Sequence, residues 1–263
     1  MKPPEERDFV RALTRGLDVI LAFSHLRPSM TLSEVAEVVG LSRPTARRLL
    51  LTLEDAGFVK TDARRFSLTP RVLALGYAYL SSLDLAQVAQ PHMDALVKLT
   101  GEGCAMAVLD DCDVVYVNRV PTHRITSLPL TTGTRLPAHA TSMGQVLLAD
   151  LTPDQLESYL TRADLPRLTA RTLHSPHEIR SRMEQVRQHG WALVDQELEE
   201  GLRSISAPVM GAEGRTVAAV GMSTTVSSTT LERLRSEHVP HLVAAAAAIS
   251  KDLGGRVAAE RES

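Results

Sequence analysis

The sequence predicts an α+β chain with an N-terminal winged helix-turn-helix domain, a linker helix and a second domain of antiparallel sheet flanked by helices. Three observations carry that reading. Two short helical segments meet across a single residue between a glycine stop and a serine cap (VVGLS). A basic hairpin, FVKTDARRFSLT, follows the second of them. From Cys104 the apolar period changes from helical to alternating, with strands gathered before and after a block of helices.

The elements follow in order. Residues 7–26 are expected to form a helix, because Val10, Leu13, Leu17, Ile20 and Leu21 recur at three and four and Pro28 ends the pattern. In TLSEVAEVVG, Thr31 and Glu34 have capping-box spacing, Val35, Val38 and Val39 give an apolar side, and Gly40 is a natural stop. Ser42 is the next N-cap, and Pro44 sits in the first turn, where a missing N–H is harmless. Ala46, Leu49, Leu50 and Leu53 then make one stripe, while Arg43, Pro44, Arg47 and Arg48 point the other way. Gly57 closes this third helix. Phe58 and Val59 open a strand, Asp62-Ala63-Arg64-Arg65 turns, and Phe66 to Leu68 returns.

Pro70 to Leu83 reads as a connecting helix, with a hinge at Ser81-Ser82, and Leu85 to Thr100 as a second helix. CAMAVLD and DVVYVNRV are strands around an acidic turn, Asp110 to Asp113. Helices are expected at Ser142–Ala149, Pro153–Leu160 and Glu178–His189. Three or four strands follow between Trp191 and Thr225, with Gly211 to Gly214 as a hairpin turn. A helix from Thr230 to Leu253 closes the chain. The predicted domains are 1–70, a linker at 71–85, 86–253, and a polar tail at 254–263.

Composition narrows the function. The chain has 263 residues, 44% hydrophobic and 3% aromatic, so it supports real cores but no large stacking surface for a cofactor. Two cysteines make no disulfide framework and suit a reducing cytoplasm. No signal peptide or membrane span is read from the sequence. The net charge of −2 hides an asymmetry: residues 1–80 carry 12 Lys/Arg against 9 Asp/Glu, the remainder 17 against 22. Arg43 to Arg71 holds seven basic residues and three acidic ones, which favours an anionic partner.

Cap, leucine stripe, arginine face, tight turn before and basic hairpin after describe a recognition helix with a wing. The expected partner is double-stranded DNA, met by Ser42, Arg43, Pro44, Thr45, Arg47 and Arg48 in the major groove and by Arg64 and Arg65 of the hairpin on the backbone or minor groove. The competing reading is a small-molecule enzyme or binding module that uses the helix-turn-helix only to oligomerise. Enzyme signals are thin. His139 and Ser142 stand three apart with Asp195 distant, but there is no G-x-S-x-G. His174-x-x-His177 and His238-x-x-His241 have no third ligand nearby. No cofactor and no metal is expected.

With these pieces together, the chain resembles IclR-family transcriptional regulators over nearly all of its length. The likeness rests on TLSEVAEVVGLSRPTARRLLLTLEDAGFV in the first domain. In the second it rests on VVYVNRV, GTRLPAHATSMGQVLLA, HGWALVDQELEEGLRSISAPV and GRTVAAVGMS. GLRSISAPV and LPAHATSMGQVLLA are similar to the branch that regulates β-ketoadipate-pathway genes for protocatechuate and p-hydroxybenzoate catabolism. The resemblance implies a GAF-like effector domain, a homodimer or homotetramer on a pseudo-palindromic promoter site, and a small aromatic or dicarboxylic acid as effector. Carried onto matching positions, it implies a pocket at Ala140, Thr141, Ser142, Met143, Asp195, Glu197, Ile205 and Ser223. Some relatives have cysteine where Ile205 stands and serine where Gly221 stands, so this chain leaves apolar room for a ring or a longer acid.

The residues themselves add candidates. Ser142 begins a helix, and either it and the free N–H groups hold a carboxylate or it is a plain N-cap. His139 is a structural histidine or a ligand contact. Arg119, Arg124, Arg135 and Arg203 are candidate carboxylate clamps, among which spacing does not choose.

Overall fold

The structure is a computed structural model that describes residues 10–24, 26–75, 85–122 and 130–255. It divides into two units, Met1–Ser82 and Leu83–Ser263. No helix among the described residues is long and apolar enough to cross a membrane.

The first unit holds α1 (Arg11–Leu21), β1 (Met30–Thr31), α2 (Leu32–Val38), α3 (Arg43–Asp55), β2 (Val59–Asp62) and β3 (Arg65–Leu68). Its local signals act as read. Thr31 and Glu34 close a reciprocal capping box, Ser42 caps α3, and Gly40 and Gly57 take φ of +67° and +77° where the helices stop. Val19, Phe23, Met30, Val35, Leu50, Val59 and Phe66 form the core.

Two expectations differ. The first helix ends at Leu21, because Phe23 turns into the core and Ser24 and Arg27 exchange backbone hydrogen bonds; residues 7–9 and 25 lie outside the described residues. The stripe read as its apolar face points to solvent: Leu13, Leu17 and Leu21 are exposed, and Val19 makes the buried contact. The expected linker and its Ser81-Ser82 hinge fall largely on residues 76–84, which are not described. Before them Pro70–Val72 forms a 3-10 turn.

The second unit is built on one antiparallel sheet of six strands, in the order β6-β5-β4-β9-β8-β7. The strands are β4 (Gly103–Asp110), β5 (Asp113–Val120), β6 (Arg135–Pro137), β7 (Ala192–Asp195), β8 (Leu202–Met210) and β9 (Thr216–Thr225). On one face lie α4 (Leu85–Thr100) and, after a short α8 (Leu231–Arg233), α9 (Val239–Asp252). Asn118 of β5 donates to the Ala86 carbonyl and to Gln90 of α4, and Ser250 of α9 accepts from the Met210 N–H. On the other face α5 (Ser142–Ala149) lies against the sheet, backed by α6 (Pro153–Arg162) and α7 (Pro176–His189) through Val146, Leu147, Tyr159, Ile179 and Met183. Capping boxes at Thr152/Gln155 and Ser175/Glu178 start α6 and α7, so α7 begins at Pro176, two residues before the expected Glu178. The closing helix is interrupted: Leu234–His238 is a π turn, placed just before Pro240, whose ring nitrogen donates no hydrogen bond to a regular α ladder.

Candidate functional site

The nucleic-acid face is assembled on α3. Ala46 and Leu50 are fully buried, which anchors the helix and turns Arg43, Pro44, Arg47 and Arg48 outward, all exposed. The Ser42 hydroxyl accepts from the Thr45 N–H and pairs with the Thr45 hydroxyl at 2.9 Å, so these two side chains order the first turn. Among the described residues no acid lies within ion-pairing reach of Arg43, Arg47 or Arg48. The hairpin turn is tighter than read. Only Ala63 and Arg64 turn, both at positive φ (44° and 66°), as a two-residue connection between twisted strands requires. Arg64 therefore stands at the tip. Arg65 is in β3, where it donates to the Ser29 hydroxyl and carbonyl and pairs with Glu34 at 3.3 Å. Its guanidinium ties the wing to the start of α2.

In the second unit a cavity opens between α5 and the sheet. Its floor follows from the strand register. Arg119, Ala105, Gly221 and Ser206 are successive cross-strand neighbours on β5, β4, β9 and β8, and so share one face. Gly103, Ser223 and Ser204 form the next row. Strict alternation would put Tyr116 and Arg119, three apart, on opposite faces. A β-bulge opposite Met106/Ala107 inserts Val117 as an extra residue and brings both to the cavity. Tyr116 is nearly buried, and burial pushes its phenol up to about 12. The Arg119 guanidinium donates to the Leu130 carbonyl, and both residues line the cavity.

The roof is the start of α5. The N-cap is Thr141, whose hydroxyl accepts from the Gly144 N–H at 3.0 Å. Ser142 is thus the first helical residue, and its hydroxyl meets Ser206 at 2.7 Å. The N–H groups of Ser142 and Met143 have no partner within the helix and sit at its positive end. Close approach is secured by glycines. A Cβ on Gly221 would strike the Ser206 hydroxyl and come within 3.0 Å of Met143, and one on Gly144 would collide with the Ala138 backbone.

Of the effector candidates, Arg119, Thr141, Ser142, Met143 and Ser223 line this cavity. The other described candidates do not line it. His139 is 1% exposed, its Nε2 is 3.3 Å from the Pro166 carbonyl, and burial pushes its pKa down, so it is neutral at physiological pH. Ala140 is fully buried. Ile205 stands on the opposite face of β8 from Ser204 and Ser206. Asp195 is held by Arg203 at 2.7 Å and by Arg171; burial opposes, yet these partners and Gln196 keep its carboxyl below the ordinary range. Arg203 also donates to the Thr229 carbonyl at 2.7 Å. Arg135 pairs with Asp110 and Asp113. Arg124 lies outside the described residues.

Glu197 forms a network behind α5. It is 4% exposed, meets Arg182 of α7 at 2.8 Å, and accepts from Gln145 of α5 at 3.0 Å. Gln145 also donates to the His139 carbonyl and accepts from Arg182. Burial pushes the Glu197 carboxyl up, and Arg182 and Gln145 only partly counter it. Sequence reading missed Tyr116, Ser204, Ser206, Glu102 and Glu199, all on the cavity wall. For the two serines a signal existed: in S-I-S of β8 the polar residues alternate with a buried one.

Residues 12–63 match the model of the IclR helix-turn-helix domain, and residues 77–251 that of the bacterial transcriptional regulator IclR C-terminal region. A Pca regulon regulatory protein of Pseudomonas putida is 43% identical over 249 residues, 94% of this chain and 86% of that protein. A crystal structure of a candidate transcriptional regulator from Rhodococcus sp. RHA1 is 50% identical, covers 93% of this chain and 98% of that one, and has a TM-score of 0.83. An IclR homologue from Microbacterium hydrocarbonoxydans, solved as a complex with 4-hydroxybenzoate, is 27% identical at a TM-score of 0.82, over 92% of this chain and 98% of that one.

Proposed function

The chain belongs to the IclR family of bacterial transcriptional regulators, and from that premise we propose that it controls genes of aromatic acid catabolism in response to an aromatic acid bound between α5 and the sheet. It is a DNA-binding regulator and not an enzyme. The observation that carries the effector reading is the convergence of Arg119, the Ser142 hydroxyl and the open N-terminus of α5 on one cavity. A carboxylate there meets a guanidinium and unpaired N–H donors, while Met143, Leu130, Ala105 and Tyr116 offer an apolar wall to a ring. The 4-hydroxybenzoate held by the Microbacterium homologue supports the same class of ligand.

A thermal-shift series with 4-hydroxybenzoate and protocatechuate tests the proposal, because a ligand of the folded state raises its melting temperature. Both acids are expected to stabilise the protein, and Arg119→Ala to weaken binding at least tenfold. If neither acid moves the melting temperature at millimolar concentration, the effector reading fails.

On DNA, α3 enters the major groove of a pseudo-palindromic promoter site with Arg43, Arg47 and Arg48, and Arg64 reaches the backbone from the wing. Ser42, Pro44 and Thr45 set the first turn against the duplex, and Arg65 holds the wing. The exposed leucines of α1 support a homodimer or homotetramer. Arg47→Ala is expected to cost about 1–3 kcal/mol of operator binding and to relax sequence preference if it reads a base edge. If it contacts phosphate instead, titrations across salt will show a uniform loss and a shallower slope. Unchanged affinity at every salt concentration would remove Arg47 from the interface.

A further inference from the structure

Asn118 and Arg119 are neighbours in β5 that work on opposite faces of the sheet. The Arg119 side chain lines the cavity, and the Asn118 side chain meets α4. The two are also joined directly, because the Asn118 Oδ1 accepts from the Arg119 backbone N–H at 2.7 Å. The Asn118 amide nitrogen donates to the Ala86 carbonyl and to the Gln90 Oε1, each at 3.1 Å. The turn it holds is a weak part of that helix. Pro91 lies inside α4 and has no N–H, so the Gln87 carbonyl loses its partner in the ladder. The turn from Leu85 to Gln90 is therefore joined to the rest of α4 by one rung fewer, and Asn118 supports it from outside. Gln90 reaches past the proline as well, its amide donating to Asp94 at 3.0 Å. α4 is also the first described element of the second unit. Just before Asn118 the extra residue Val117 interrupts the pairing of β5 with β4, so this stretch is less tightly held than a regular strand.

We infer that Asn118 is the positioning residue through which an acid held at Arg119 acts on the first turn of α4. The inference rests on the reading of the cavity as the effector site. A carboxylate bound to the guanidinium fixes Arg119 and, through the bond to its backbone N–H, the Asn118 side chain. An ordered Asn118 holds the Ala86 carbonyl and Gln90 for more of the time, and the turn before Pro91 opens less often. Binding on one face of the sheet is thereby felt on the other, at the end of α4 where the chain enters the second unit.

Hydrogen exchange of the full chain, with and without saturating 4-hydroxybenzoate, tests this. The Ala89 and Gln90 amides bond back to Leu85 and Ala86 and report on the first turn, while the Leu96 and Val97 amides lie beyond Pro91 and report on the rest of the helix. In wild type the acid is expected to slow exchange at Ala89 and Gln90 at least fivefold more than at Leu96 and Val97. In Asn118→Ala and Asn118→Asp that extra factor is expected to fall below twofold, with calorimetric titration confirming that the acid is bound. The aspartate keeps an acceptor for the Arg119 N–H and loses both donors to α4, so it isolates the outer half of the link. Gln90→Ala removes one of the two bonds with a residue that helices favour, and is expected to reduce the factor in part. A purely structural Asn118 loosens the turn with and without acid alike, so variants that keep the wild-type factor would overturn the inference. So would a wild type that binds the acid and slows all four amides equally; that comparison needs no variant to fold, and it leaves the acid site standing. If the acid does not bind wild type, the acid site itself falls, and this link with it.

Discussion

Arg182→Met is expected to lower folding stability by about 3–5 kcal/mol at pH 7.5, read from urea denaturation. The methionine keeps much of the volume, but the Glu197 carboxylate is left buried with only Gln145 to answer it. The loss should depend on pH in a defined direction. Burial already holds the folded pKa of Glu197 above its ordinary value, and without Arg182 it rises further. A carboxyl shifted upward on folding adds its stability below the unfolded pKa and loses it as pH climbs through the folded one. The gap between variant and wild type should therefore narrow as pH falls from 7.5 toward 5. Taking the difference cancels the surface carboxylates common to both. A gap that widens on acidification would mean that Glu197 is not the group left behind.

The second large effect is expected from Gly144→Ala. The added methyl points at the carbonyl and Cα of Ala138, which are main-chain atoms that no rotamer change can move aside. The start of α5 has to lift off the preceding turn, straining the Thr141 cap and the Ser142–Ser206 contact. A cost of about 3 kcal/mol is expected from overpacking against backbone, again by denaturation. Because the N-terminus of α5 roofs the cavity, affinity for 4-hydroxybenzoate should fall with it, by at least tenfold at a temperature where the variant is folded. Lost stability with full affinity would show that the helix start is not a ligand contact.

Much of the architecture was legible because its signals are local. The Thr31/Glu34 box, the Ser42 cap with Pro44, and the limits of α4 at Leu85 and Thr100 all act within a few residues. The outward arginines of α3 follow from helical period once Ala46 and Leu50 are buried. What escaped depends on contacts distant in sequence. Arg65 looks like one more basic residue of a wing until β3 brings it to Ser29, 36 positions away. Asp195, Glu197 and Arg203 have the residue types of a ligand site, yet their partners, Arg171, Arg182 and Thr229, come from three other segments. His139 neighbours the cavity in sequence but turns toward Pro166. That Arg119 lines the cavity depends on which face of β5 it occupies, and so on a bulge with no compositional mark.

That bulge at Val117 works like a shift of reading frame within a strand. Up to Tyr116 the even-numbered side chains face α5; after it the odd-numbered ones do, so Asn118 serves α4 and Arg119 serves the cavity. Deleting Val117 would remove the bulge and leave both on the faces they hold, because Asn118 would then follow Tyr116 directly; it is the extra residue drawn into regular pairing that would exchange them. The strand can thus absorb one extra unit of length at this point while the side chains it offers to either layer stay the same.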